Sequence, residues 1–424
     1  MLDGHEYIAK DIDVLRAVLA LLPYFDVAQE SVFGLSCQFD HLMLEKASAH
    51  LALELPLRAP DARLRVGYLS PDFRRHVMGY MMLEVISRHD AEKFDIYCYS
   101  LNSVEDDVTR IIRDNCRKFQ VIQGMHPRSA AELMARDGLD ILVNLVTHTE
   151  GAVPEILAYK PARVQITSIA SSGVVGLSTI DYRLTDHYCD PPGSQRYLIE
   201  KLLPISGCVY PYRTIEAAST HGYSRAALGI DDDAIVIGAF VNIVKLSPRC
   251  LSLWRRVMDR LPRSILAFSP NSERELSAYR SLAISSGIEQ ERLLFIPNNQ
   301  DPTTARARYT MVDMVLDTLP YGGVNGTIEA LNMSVPVVTL LGTRHGERTS
   351  YSIMMNLGVP QTVAHDEDEY VSIAARLIED DAFRRAVSAS IRAGLRNSPL
   401  VDIDAHVRHL EDAYRRASTH ANLD

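Results

Sequence analysis

The feature that most constrains this chain is an alternation that runs through it twice. Short apolar runs are separated by longer stretches whose apolar residues recur at helical spacing. Strands joined through helices return to the same end of the sheet, so the pattern predicts βαβ units and parallel pairing rather than hairpins. The first round holds the strand runs Leu64–Leu69, Phe94–Tyr99, Phe119–Ile122, Leu139–Leu145, Val164–Ile169 and Tyr182–Thr185. Helices are expected between them at Tyr80–Ser87, Val108–Asn115 and Ser129–Asp137. The Pro- and Gly-rich stretch Cys189–Arg213 reads as a linker. The second round holds Ala234–Phe240, Ser264–Phe268, Leu293–Ile296, Met314–Leu316 and Pro336–Leu340. Its expected helices are Pro248–Leu261, Pro302–Tyr309, Gly326–Met333 and Glu347–Asn356.

Before the first round, Ile8, Ile12, Leu15, Val18, Leu19 and Leu22 mark an amphipathic helix, and a second runs from about Asp40 to Leu53. The predicted class is therefore α/β: two Rossmann-like doubly wound domains behind a small N-terminal helical segment. The expected boundaries are 1–60, 61–212 and 213–424. A last helix, Asp404–Ser418, closes the third segment and has the option of packing back on the first half. Ligands of such sheets gather beyond the strand C-termini, which points to a cleft between the two halves.

Composition narrows the function. Lys and Arg total 44 against 54 Asp and Glu, a net charge of −10. No general basic face for nucleic acid is expected from that balance, while one local anion pocket remains compatible with it. No apolar window approaches the length of a membrane span, and Asp3, His5 and Glu6 stand where a secretion signal has a basic region, so neither a span nor a signal is expected. The 6 cysteines lie far apart with no CxxC pair, so a reduced, cytoplasmic protein without a zinc or disulfide framework is expected.

The run Leu316–Thr339 carries the strongest chemical signal. A strand ends at Asp317, a Gly322-Gly323 turn follows, and a helix opens near Gly326. Glycines let a backbone approach a ligand, and a helix start offers N–H groups to a diphosphate. Glu329, about one turn in, can accept from ribose hydroxyls. The plainer reading is a tight βα turn. Lys245, just past Gly238–Val244, stands where a cation would neutralise a leaving diphosphate; a solvated lysine is its alternative. His76, in the loop after the first strand, and His148, in Asn144–Gly151, can each take a proton or orient an acceptor, or serve only as loop histidines. Arg348, with His345 and Glu347, opens a helix and can reach phosphate or sugar, or simply start that helix. Asp231–Asp233 reads as a solvated turn rather than a metal site, and no metal is expected.

These residues resemble the catalytic region of the O-GlcNAc transferase/SPINDLY family of protein glycosyltransferases over about residues 62–400. The likeness rests on Arg65–His76, Phe94–Tyr99, Asp137–Asn144, Lys160–Gln165 and Ile180–Tyr182 in the first half. In the second it rests on Gly238–Phe240, Lys245, Asp317–Gly322, Pro336–Thr339 and Asp368–Tyr370. The second half is also similar to bacterial enzymes that glucosylate adhesins on asparagine. The resemblance implies a GT-B pair of Rossmann-like domains and an inverting, metal-independent transfer from a UDP-sugar, as co-substrate, to a protein. It implies Ser/Thr as the acceptor, with Asn of adhesin-like proteins or an inactive UDP-binding paralogue as alternatives; a sugar-nucleotide 2-epimerase is a further rival. Under it His76 lies near donor sugar and acceptor, and Lys245 on the diphosphate. Asn325, Gly326 and Thr327 form the phosphate turn, Glu329 meets the ribose, and Asn298 and Asn299 fall where uracil is read. Two departures stand out: the family's Gly-Tyr-Pro-Gly-Thr-type loop is Ala170–Gly176 here, and Asn325-Gly326 replaces a Thr-Thr pair. The helical repeat array is not found in these residues; a partner protein that supplies acceptor recognition is one expectation, and a homo-oligomer is another option for partners.

Overall fold

The computed structural model describes residues 11–48, 50, 52–57, 62–168, 173–213, 223–298 and 302–420. The chain divides into two units: Met1–Arg213 with Asp402–Asp424, and Thr214–Val401.

The first unit is built on seven parallel strands: β1 (Leu64–Ser70), β2 (Phe94–Ser100), β3 (Lys118–Val121), β4 (Ile141–Asn144), β5 (Val164–Thr167), β6 (Tyr182–Thr185) and β7 (Lys201–Pro204). Their order is β3-β2-β1-β4-β5-β6-β7. Strands buried on both faces read as continuous apolar runs, and β4, with all of its residues buried, is the clearest example. β7 lies inside the stretch expected to be a linker. Its Lys-Leu-Leu-Pro sequence holds one fully buried residue, which suits an edge strand and gives little apolar signal.

The N-terminal helices are Ile12–Leu21 and Gln29–Ser48, the latter starting earlier than expected. Residues 7–10 of the first expected helix lie outside the described residues. Asp11 caps the first helix by accepting from the amides of Asp13 and Val14. Leu15, Leu19, Phe39 and Met43 share one hydrophobic core with Val146, Ile156, Val175 and Leu177, so the helical segment is part of the first unit. The terminal helix Ile403–His420 also belongs there, not with 213–401 as the expected boundary had it. Buried polar groups hold it: the Tyr414 and Tyr68 hydroxyls meet at 3.1 Å, Glu411 lies 3.0 Å from His89, and His406 lies 3.1 Å from the Cys208 carbonyl.

The second unit holds β8 (Ile235–Gly238), β9 (Ser264–Phe268), β10 (Leu293–Phe295), β11 (Met314–Leu316), β12 (Val337–Leu340) and β13 (Val363–Ala364). They form a parallel sheet ordered β10-β9-β8-β11-β12-β13. In both sheets the winding reverses once, between β1 and β4 and between β8 and β11. At such a reversal neighbouring loops leave in opposite directions and open a crevice beyond the strand ends.

Candidate active site

The crevice of the second unit is flanked by the segments after β8 and after β11, and these carry Lys245 and Asp317. Asn242 starts the first segment, its side chain accepting from the Val244 amide at 3.1 Å. Ser247 ends it by capping the helix Pro248–Arg260 and donating to the Leu319 carbonyl at 2.7 Å. Pinned at both ends, the turn sends Lys245 across to the glycine run. Its Nζ donates to the Gly322 carbonyl at 2.7 Å and lies 4.0 Å from the centre of the Tyr321 ring. Burial draws the ammonium down to about 8, and the charge of Asp317 pulls the other way.

Asp317 is buried. Its carboxylate accepts from the amides of Thr318 (3.0 Å) and Gly323 (2.8 Å) and from the Thr339 hydroxyl (2.8 Å). Burial raises its pKa, opposed by the nearby Ser350 and Thr339 hydroxyls, by Lys245 and by the Gly323 amide. The glycines are required by this close approach. A Cβ on Gly323 would stand 2.5 Å from Thr327 Oγ1, and one on Gly322 would stand 2.8 Å from Thr349 Oγ1.

The helix Asn325–Asn332 starts beside this turn with no side-chain cap. Its first amides, at Asn325, Gly326 and Thr327, are therefore without a side-chain cap and carry the positive end of the helix dipole. Gly326 stands in open space, since a Cβ there would meet only the Phe240 carbonyl at 4.0 Å. The Thr327 hydroxyl is committed elsewhere: it lies 2.7 Å from Ser350 Oγ, which donates to the Gly323 carbonyl at 3.0 Å.

Glu329 is also engaged. Arg306 Nε donates to it at 3.3 Å, and Arg308 lies 3.9 Å away. Arg308 extends over the Phe240 ring at 4.9 Å and donates to Asn298 at 2.8 Å, and Asn298 donates to Asn271 at 2.6 Å. One polar chain thus brings Glu329 and Asn298 together; Asn299 lies outside the described residues. Arg348 is not drawn to Lys245 by any contact shown. It donates to the Gly342 carbonyl at 2.9 Å and stacks 4.9 Å from the Tyr351 ring centre. Asp317, Tyr321, Arg306 and Arg308 were missed in the sequence. The available signals are an acid closing a fully apolar strand and two arginines shortly before that same strand.

The crevice of the first unit lies between β1 and β4, and the two histidines follow those strands. His76 caps the helix Val77–Ile86, with Nδ1 accepting from the Met78 amide at 3.3 Å and lying 3.5 Å from Asp72. Burial and Arg74 lower its pKa against the pull of Asp72. An amide only donates, so the neutral ring carries its proton on Nε2 and offers a donor. His148 is buried. Its Nε2 donates to the Val175 carbonyl at 2.9 Å, and the Phe39 ring meets it edge-on at 4.9 Å. Burial draws its pKa down to about 4. This ring is a neutral strut between helix and loop. In the altered glycine loop, Arg183 donates to the Gly173 carbonyl at 2.6 Å; residues 170–172 lie outside the described residues.

Among the described residues no group of three or more His, Cys, Asp and Glu could hold a metal ion, and no helix is long and apolar enough to cross a membrane.

The profile of glycosyl transferase family 41 matches residues 31–209 and 217–410. The chain is 31% identical over 368 residues to the probable UDP-N-acetylglucosamine–peptide N-acetylglucosaminyltransferase SPINDLY of Petunia hybrida, covering 84% of this chain and 39% of that protein. It is 23% identical over 467 residues to the UDP-N-acetylglucosamine–peptide N-acetylglucosaminyltransferase of Caenorhabditis elegans, covering 82% of this chain and 40% of that protein. The chain thus spans about two fifths of the length of these curated relatives. A solved mutant of the Thermobaculum terrenum O-GlcNAc transferase superposes with a TM-score of 0.88 at 28% identity, over 97% of this chain and 78% of that one. Anabaena Alr3699/HepE in complex with UDP shares the fold at a TM-score of 0.52 and 12% identity, over 82% of this chain and 100% of that one. The pair of Rossmann-like units is that of the GT-B class.

Proposed function

The chain belongs to glycosyl transferase family 41, and from that premise we propose that it is an inverting protein glycosyltransferase. It moves N-acetylglucosamine from UDP to a Ser or Thr hydroxyl of a protein acceptor. The sugar and the peptide acceptor follow the names of the relatives, and an oxygen acceptor follows the name of the O-GlcNAc transferase. The observation that carries the reading is the contact of Lys245 Nζ with the Gly322 carbonyl, beside the uncapped start of the helix Asn325–Asn332. A cation and a helix N-terminus then meet in one crevice shaped for a diphosphate.

In the reaction the acceptor oxygen attacks the anomeric carbon opposite the leaving UDP. The bond from that carbon to the diphosphate oxygen breaks, negative charge grows on the phosphate, and the hydroxyl proton passes to the departing diphosphate or to water. Lys245 and the amides of Asn325, Gly326 and Thr327 stabilise that charge; in this reading no divalent ion is needed. A single preorganised donor of this kind is worth about 3 kcal/mol. Glu329 and Asn298 lie where the nucleoside would rest, with Arg308 between them. His76 donates from Nε2 to a sugar or acceptor oxygen, so it acts as a positioner rather than as the proton acceptor. A cytoplasmic setting agrees with the 6 free cysteines.

The test is co-expression with candidate acceptor proteins, each UDP-sugar supplied in turn, read by mass spectrometry. A mass increase of one N-acetylhexosamine on Ser or Thr is expected. Calorimetric UDP binding without transfer would leave a binding module, and UDP release with an isomerised sugar would indicate an epimerase.

A further inference from the structure

We propose that Asp317 is a positioning residue of this donor site: its carboxylate holds the Gly322–Gly323 turn and the Lys245 ammonium in one constellation without touching the nucleotide. The inference rests on the donor-site reading above.

Asp317 closes β11 at the winding reversal, opposite the segment that bears Lys245. Oδ1 takes the amides of Thr318 and Gly323, and Oδ2 takes the Thr339 hydroxyl from β12. Gly322 is fixed separately, its amide donating to the Gly346 carbonyl at 2.9 Å. The turn is therefore held at two consecutive amides, and its free carbonyl at Gly322 is the one Lys245 occupies.

The carboxylate is not what anchors the strand end. The Asp317 backbone oxygen accepts from Tyr370 at 3.1 Å and from Trp254 at 3.4 Å, on the helices Glu367–Glu379 and Pro248–Arg260. An acid kept in so dry a place costs stability unless its hydrogen bonds are met, and here both oxygens have partners. Other titratable groups against it are Cys250 and Tyr370, both pushed upward by burial and so neutral at working pH. Tyr321 faces Lys245 through its ring. Asp317 and Lys245 thus act on the same turn, the carboxylate through the Gly323 amide and the ammonium through the Gly322 carbonyl, and the charge of Asp317 opposes the lowering of the Lys245 pKa by burial.

The test is Asp317→Asn. The amide oxygen still accepts from the two backbone amides, while the charge and the acceptor for Thr339 are lost. The variant is expected to fold by circular dichroism and to bind UDP roughly 10-fold more weakly by calorimetry. The alkaline limb of its kcat/KM profile is expected to move to lower pH, because Lys245 loses the charge that holds its proton. Asp317→Asn with Lys245→Ala is expected to bind no more weakly than Lys245→Ala alone. Thr339→Val removes one hydrogen bond but not the charge, and is expected to weaken UDP about threefold with the limb unmoved. Additive losses in the double variant, an unmoved limb in Asp317→Asn, or loss of its fold would overturn the proposal. If the parent chain does not bind UDP, the donor-site reading fails too. If Lys245→Ala weakens UDP binding and Asp317→Asn does not, only this inference fails.

Discussion

Lys245 and His148 are both nitrogen bases beside the winding reversal of a parallel sheet, one in each unit, and both are buried enough to be pushed toward neutrality. They end in different states chiefly because they start apart: burial lowers the lysine from its ordinary 10.5 to about 8 and the histidine from its ordinary 6.5 to about 4. Lys245 has a carboxylate within Coulomb reach, and its pKa stops at about 8. His148 has a carbonyl, an aromatic edge and the charge of Arg16, which joins burial in drawing its pKa down to about 4. At neutral pH the first is mostly an ammonium and the second wholly neutral. What the neighbours add is direction: the charge of Asp317 favours the proton on Lys245, whereas the charge of Arg16 disfavours one on His148, so the first base keeps the charge an anion site needs and the second serves packing.

The largest effect should come from removing the charged member. Lys245→Ala is expected to lower turnover by roughly 100-fold or more, about 3 kcal/mol, while the circular dichroism of the chain is retained. Steady-state transfer kinetics check this. A change within a few-fold would mean that the crevice is not where the leaving charge is met, and the contrast with His148 would lose its meaning.

The neutral member should show itself in stability instead. A base whose pKa is about 4 folded and near 6.5 unfolded contributes fully above pH 6.5 and loses that contribution as pH falls toward 4. The drop is about 2–3 kcal/mol for His148, and His406, also drawn down to about 4, adds a similar slope. Denaturant midpoints taken from pH 7 to pH 4 test it. His148→Gln keeps an N–H for the Val175 carbonyl without a charge to acquire, so its acid slope should be shallower at unchanged UDP affinity. An unchanged slope would show that His148 is already solvated.

A third measurement sharpens the geometry of the charged crevice. Gly323→Ala places a methyl group 2.5 Å from Thr327 Oγ1 and 3.2 Å from Asp317 Oδ1, against the hydrogen bond that holds the turn. About a tenfold loss of UDP affinity is expected, close to 1.4 kcal/mol. Gly326→Ala, in open space, serves as the control and should change affinity little.

Much of this was legible in the sequence, and the rest was hidden for identifiable reasons. Both sheets announced themselves because strands covered on both faces need unbroken apolar runs. Lys245 and the glycine turn stood out because their chemistry is local. Asp317 did not, since an acid at a strand end looks like any turn residue until Thr339, Gly323 and Lys245 converge on it from three other segments. His148 looks like a cleft residue in the sequence because nothing near it announces Phe39, the ring that covers it from a helix far upstream. The terminal helix looked like the end of the second domain because chain order does not say where a helix packs; Tyr68, His89 and Cys208 decide that.

Glu329 carries the smallest of these effects and the finest distinction. As an acid one turn into a helix it was expected to meet ribose hydroxyls, yet in the structure Arg306 and Arg308 already share it. A carboxylate held by two guanidinium groups has lone pairs left for a sugar hydroxyl, so the two roles are compatible. Glu329→Gln keeps an acceptor oxygen and removes the charge that orders Arg308 beneath Asn298. A loss of about threefold in UDP affinity is expected, some 0.7 kcal/mol, with Arg308→Lys giving a similar loss and the double variant little more than either. Calorimetry on the four proteins separates the cases. Independent losses would mean that Glu329 meets the nucleoside directly, whereas a shared loss places it one step back, holding the arginine as Asp317 holds the lysine.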